Sequence, residues 1–298
     1  MVDFRGVVPA IVTPMTPKGE LDEGAFREVI EFNIQSGVHG FWLAGGGGEG
    51  VLLSDDENVK VAKIAADQVQ GRVATIMHVG SLTTPSSAKL AEAAARAGVD
   101  AICSVPPFFF RVGDDGIVEH YKAIATAADL PLFLYNLPQC TGVELTPELV
   151  VKIREHVPHL VGLKHSAPLF VNNAVFSQMG LKCFNGSSKL MLSALAIGAV
   201  GCVDGILCAI PEFYVDIWEA YEAGDLKSAE QAQDRANAVW DMLSKAGTYP
   251  GTIKALVSER LGVECGNPRL PIPPLTPEER VHIREGAAQL GIDKVAVG

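Results

Sequence analysis

Basic residues are in short supply. The 298-residue chain carries 24 Lys and Arg against 35 Asp and Glu, a formal charge of −11. Nucleic acid and anionic membranes both demand basic patches, so neither is expected as the main partner. A small acidic substrate needs one local positive site and stays open; the negative surplus also serves simply to keep a chain soluble. No stretch reaches about 18 uninterrupted apolar residues, so no membrane span is expected. The opening "MVDFRGVVPAIVTP" lacks the long apolar core of a signal peptide. Six scattered cysteines (Cys103, Cys140, Cys183, Cys202, Cys208, Cys265) include no CxxC pair and no partner histidine at ligand spacing. They read as reduced, mostly buried thiols of a cytoplasmic protein rather than as a disulfide framework or metal site. No His-x-x-x-His occurs, and "NGSSK" (185–189) does not fit the G-x-S-x-G nucleophile elbow. Neither metal nor cofactor is expected.

What the chain has is alternation. Apolar, β-rich runs appear at 6–14, 37–45, 72–80, 100–107, 130–138, 159–166, 181–186 and 199–206. Amphipathic stretches such as "LDEGAFREVIEFNIQSG" and "SSAKLAEAAARAG" separate them. Strands apolar throughout, each followed by a helix, suit a parallel sheet covered on both faces. About eight such units in roughly 210 residues is the pattern of an α/β protein of the (β/α)8 TIM-barrel class. Ser54 with Glu57 predicts a capping box, Thr146 with Glu148 a second helix start, and Gly37, Gly98 and Gly198 helix ends. After Pro211 the strand pattern stops and helical stretches run to about residue 290, broken by "NPRLPIPPLTPEE". The expected organisation is a barrel over 1–225 and a C-terminal helical region over 226–298, packed on the barrel or on another subunit.

Three features point to chemistry. "GFWLAGGGGEGVLL" (40–53) satisfies G-x-G-x-x-G, but a dinucleotide fingerprint opens directly into its helix. Here "VLL" intervenes before the cap at Ser54, and no Gly-Lys-Ser/Thr follows. The alternatives are a bare-backbone cradle for a carboxylate at the carboxyl end of the second strand, or a sharp turn without a ligand. Lys164, in "HLVGLKHS", follows apolar or small residues at the end of the sixth strand, unlike the lysines of the polar helical stretches. Period-two alternation groups it with Gly162 and Leu160 on the inner face, with Val161 and Leu163 toward the helices. A desolvated free amine is nucleophilic, which Schiff-base chemistry requires; the alternative is a structural lysine paired inside the barrel. Tyr135 ends the fifth strand and shares parity with Phe133. Neighbouring strands lie about 4.8 Å apart, so a phenol at 135 and an amine at 164 can serve one substrate atom. Lys182, at the start of a strand, and His165, opposite in parity to Lys164, read as structural.

In their order and spacing, the glycine-rich loop followed by Glu49, "YNLPQCTG" (135–142) and "GLKHS" (162–166) resemble the dihydrodipicolinate synthase/N-acetylneuraminate lyase family. That family comprises class I aldolases built on a (β/α)8 barrel. The likeness runs from "GVVPAIVTPMT" through "VDGI" (203–206) and less distinctly into the tail. The resemblance implies that Lys164 forms an imine with pyruvate or another 2-keto acid and that Tyr135 shuttles a proton. It also implies that Gly46 and Gly47 hold the substrate carboxylate, that Gly186 and Val203 line the pocket, and that the chain forms a homotetramer, a dimer of dimers.

Three departures bear on the substrate. The family loop carries hydroxyl residues where this chain has Gly46 and Gly47. "PPFFFR" offers Phe108, Phe109 and Phe110 where a tyrosine normally crosses the dimer. Cys140 stands where dihydrodipicolinate synthases carry an arginine that engages the aldehyde substrate. The expected activity is therefore Schiff-base cleavage, or alternatively dehydration, of a 2-keto-3-deoxy sugar acid rather than dihydrodipicolinate synthesis. The Phe cluster suggests a less polar pocket edge. A non-catalytic keto-acid-binding barrel is the competing class.

Overall fold

The computed structural model describes residues 2–292 and 294–295. Eight parallel strands form the barrel: β1 (Gly6–Val7), β2 (Gly40–Leu43), β3 (Ala74–His78), β4 (Ala101–Ser104), β5 (Leu132–Asn136), β6 (Leu160–His165), β7 (Lys182–Asn185) and β8 (Gly201–Cys202). The ladder runs from β2 through β3 to β8 and on to β1. The seam between β1 and β2 is closed by backbone bonds from His39 N–H to Val7 O (2.8 Å) and Trp42 N–H to Pro9 O (2.9 Å).

Around this cylinder lie α1 (Glu23–Gln35), α2 (Asp55–Val69), α3 (Thr84–Ala97), α4 (Asp114–Ala128), the short α5 (Pro138–Thr141), α6 (Pro147–His156), α7 (Asn172–Gln178), α8 (Met191–Ala196) and α9 (Pro211–Glu222). Their ends carry the expected signals. Ser54 and Glu57 form a reciprocal capping box, Thr146 accepts from Leu149 N–H, and Gly98 closes α3 in the left-handed region at φ 90°. Beyond the barrel come α10 (Leu226–Leu243), α11 (Tyr249–Leu261) and α12 (Pro277–Gln289), with α10 packed on α9. No helix among the described residues is long and apolar enough to cross a membrane.

Strands buried on both faces produce two apolar layers. Trp42, Ile76, Cys103, Phe133 and Phe184 fill the barrel interior, whereas Leu43, Met77, Ile102, Leu134 and Leu163 pack beneath the helices. Strict alternation fails at the start of β6. The register shifts so that Leu132 pairs with Leu160 but Phe133 with Gly162. Leu160 therefore joins the outer layer and Val161 the inner one, the reverse of the sequence expectation. The irregularity spends one residue without a partner, which flips parity below it and leaves Gly162 and Lys164 inward.

Candidate active site

The C-terminal ends of the strands surround a cavity of about 410 Å³. Gly46 and Gly47 after β2, Tyr135 on β5, Lys164 on β6 and Gly186 after β7 all line it. Tyr135 and Lys164 are partners in register. Both are nearly buried, 5% and 4% exposed, and the Lys164 Nζ lies 4.5 Å from the centre of the Tyr135 ring and 5.8 Å from that of Trp42. Lys122, Lys152, Lys182, Lys189 and Lys254 each pair with a carboxylate; among the described residues Lys164 has no such partner. An amine on aromatic faces, unpaired and open to a cavity, is placed to meet a carbonyl carbon once it gives up its proton. The two residues set aside as structural are held elsewhere: Lys182 meets Asp3 at 3.2 Å, and His165 bonds Asn136 and the Leu169 carbonyl.

The glycine loop is tight for a steric reason. A Cβ on Gly50 would stand 1.8 Å from the Ala44 carbonyl oxygen, and one on Gly47 2.6 Å from that of Ala10. Gly46 differs: its nearest neighbour would be the Tyr135 hydroxyl at 3.8 Å. Glu49 fixes the loop from behind. Fully buried, it meets Lys254 at 2.5 Å, accepts the Arg269 N–H at 2.6 Å, and takes a left-handed φ of 58°.

Val203 is placed differently from Gly186. It is fully buried in the barrel interior, and the cavity wall at that strand end is made by Asp204 and Gly205. Nor does the phenylalanine cluster form the cavity edge. Phe109 and Phe110 are 82% and 73% exposed, Phe108 packs against the interior layer, and neither they nor Cys140 line the cavity. The cavity lining carries polar groups instead, from Gln139, Ser166, Ser187 and Asp204.

Sequence reasoning missed three contributors. Trp240 from α10 and Tyr249 from α11 reach into the cavity, so the helical tail completes the site rather than merely covering the barrel. Tyr249 donates its hydroxyl to Asp204 Oδ1, and Trp240 Nε1 donates to Ser188 Oγ at 2.9 Å. The signals were present. Asp204 is a lone acid in the apolar run "GCVDGILCA", and α11 is buried nearly all round, as a helix inside a structure must be.

The comparisons agree with this geometry. The model of the dihydrodipicolinate synthetase family matches residues 3–290. A 4-hydroxy-tetrahydrodipicolinate synthase of Oleidesulfovibrio alaskensis is 32% identical over 95% of this chain and 97% of its own length. An N-acetylneuraminate lyase of Mediterraneibacter gnavus is 30% identical over 96% and 92%. A solved catalytic-lysine mutant of the Ruminococcus gnavus sialic acid aldolase superposes with a TM-score of 0.93 at 29% identity, covering 98% of both chains. With barrel, cavity and sequence in agreement, the chain belongs to the dihydrodipicolinate synthetase family, lyases that form a lysine Schiff base with pyruvate.

Proposed function

We propose that this chain is a class I lyase acting on a 2-keto-3-deoxy sugar acid, with Lys164 as the imine-forming residue and Tyr135 as the proton carrier. The observation that carries the reading is their register pairing on one cavity wall, with the amine over the phenol ring. Lys164 Nζ attacks the C2 carbonyl, and Tyr135 gives its proton to the carbinolamine hydroxyl, which leaves as water to give the protonated imine and a phenolate. The imine then draws electrons from the C3–C4 bond as that bond breaks, while the C4 hydroxyl gives up its proton to the Tyr135 phenolate. The resulting enamine takes that proton back at C3, and hydrolysis returns pyruvate, the free amine and the phenol. Gly46 and Gly47 offer backbone N–H groups to the C1 carboxylate.

The same imine also starts a dehydration, in which a C3 proton leaves before hydroxide. A panel of 2-keto-3-deoxy acids scored for pyruvate release against water loss separates the two. Dihydrodipicolinate synthesis fits less well, although relatives carry that name. Its second substrate is an aldehyde that carries a carboxylate, and no arginine lies among the described residues lining this cavity. We also propose a homotetramer in which the exposed Phe109 and Phe110 face a neighbouring subunit.

Incubation with pyruvate and borohydride tests the imine. The expected result is a reduced adduct on Lys164 in the peptide mass spectrum. An unmodified lysine after exposure to every keto acid in the panel would instead support a binding barrel.

A further inference from the structure

One charged side chain of the cavity has no role in that chemistry. Among the described lining residues two carry charge, Lys164 and Asp204. Asp204 follows β8 and is held on both oxygens. Oδ1 accepts from Tyr249 Oη and from the Gly205 N–H at 2.7 Å, a donor shared with Tyr249 Oη at 2.6 Å, and Oδ2 accepts from Ser188 N–H at 3.1 Å. The frame around it is itself braced, since the Trp240 ring stacks on Tyr249 at 6.1 Å and 24°. A carboxylate gripped in this way neither swings out to solvent nor crosses to pair with Lys164.

Four acceptor positions on a carboxylate and three donors leave one position open. A carboxylate only accepts, so what it takes from the cavity must be a donor. Tyr249 keeps its proton for Asp204, because burial, and then the Asp204 charge, push its phenol well above the usual range. The same cavity is lined by the Gln139 amide and by the Ser166 hydroxyl, whose Oγ is buried without a hydrogen-bond partner. These neutral polar groups match hydroxyls. None of the described lining residues other than Lys164 brings a positive charge to offset a second substrate carboxylate.

We propose that Asp204, oriented by Tyr249, is the specificity-determining residue of this site, accepting a hydrogen bond from a hydroxyl beyond C4 of the substrate and repelling a carboxylate placed there. The substrate class is then a 2-keto-3-deoxy acid with an uncharged, polyhydroxylated tail. This rests on the proposed function, since the keto-acid head seated at Gly46, Gly47 and position 164, with or without the imine, decides which end of the substrate meets Asp204. Discrimination of this kind is the difference between a satisfied acceptor for one ligand and an unpaired like charge for the other.

The test is calorimetric binding in a Lys164→Ala background, where turnover is blocked and affinity is read without imine formation. The probes are 2-keto-3-deoxygluconate with its C4 epimer, and 4-hydroxy-2-oxoglutarate, which puts a carboxylate in the tail. The better epimer should bind at least tenfold tighter than the dicarboxylate, as expected of a hydrogen bond to a charged group. Adding Asp204→Asn should shrink that ratio at least tenfold, by weakening the first and strengthening the second. Adding Tyr249→Phe, which removes one orienting donor but keeps the charge, should shrink it about threefold. An unchanged ratio in Asp204→Asn, an equal loss for both acids, or a dicarboxylate that binds tighter in the parent overturns the proposal. Should Asp204→Asn fail to fold by circular dichroism, the Tyr249→Phe ratio decides in its place. Pyruvate trapping on the unmodified protein is scored separately. An adduct with an unmoved ratio sinks this inference alone, and a shifted ratio without an adduct sinks the imine reading alone.

Discussion

Glu49 and Lys254 meet at 2.5 Å with neither side chain exposed to solvent. One belongs to the glycine loop after β2 and the other to α11, so this ion pair ties a loop that lines the cavity to the helical tail. The same helix supplies Tyr249 to the rim. Barrel and tail thus form the site together.

Breaking that pair on one side leaves a buried charge uncompensated. Lys254→Ala should cost about 3–5 kcal/mol in urea unfolding, whereas Glu49→Gln with Lys254→Met should cost clearly less, because no charge is stranded. A double variant as damaged as the single would show that the loss comes from packing rather than from charge.

Tyr135→Phe keeps the ring that lies beneath the Lys164 amine and removes the hydroxyl proposed to carry the proton. Turnover should fall about 10²–10⁴-fold, while pyruvate is still trapped on Lys164 by borohydride at long incubation. Turnover within threefold of the parent would take the proton role away from Tyr135.

The loop glycines should respond unequally to a hydroxyl. Gly46 is exposed on the cavity, and an added Cβ meets nothing nearer than the Tyr135 hydroxyl at 3.8 Å. Gly46→Ser should leave stability within about 0.5 kcal/mol. Gly47→Ser, driving a Cβ to 2.6 Å from the Ala10 carbonyl, should cost about 1–3 kcal/mol. Thermal melts of the two variants measure the contrast, and equal melting temperatures would contradict it.

Two buried histidines make the fold sensitive to mild acid. Burial, then the Lys164 charge, push His78 down to about 4, and burial alone does the same to His120. Both stay neutral when folded but protonate near 6.5 when unfolded, so the unfolded chain binds more protons between those values. Their contribution is complete above about pH 6.5 and is lost as the pH falls toward 4, on the order of 3 kcal/mol each at the limit. Urea unfolding at pH 7 and pH 5 should therefore show a lower stability at pH 5. His120→Gln should flatten that slope, and a slope it leaves untouched would remove His120 from the account.

Much of this molecule is local and so was legible beforehand. Each strand's apolar run, the Ser54–Glu57 box and the Gly98 helix end depend on residues a few positions apart, and each stands where the pattern put it. Lys164 and Tyr135 were readable as a pair because period two and a fixed strand spacing carry sequence position directly into space. The same rule misplaced Leu160 and Val161, because a register shift against β5 is a property of two strands and leaves no mark within one.

The sequence by itself determined the barrel, the family and the amine–phenol pair, since these follow from backbone periodicity and from short motifs whose members lie close along the chain. Only the tertiary structure decided that Tyr249 grips Asp204, that Lys254 holds Glu49, and that Phe109 and Phe110 stand outside the cavity. Those contacts join residues 45 and 205 positions apart, or depend on where a loop turns. They are set by how the helices of the tail pack across the barrel mouth, which no local pattern encodes.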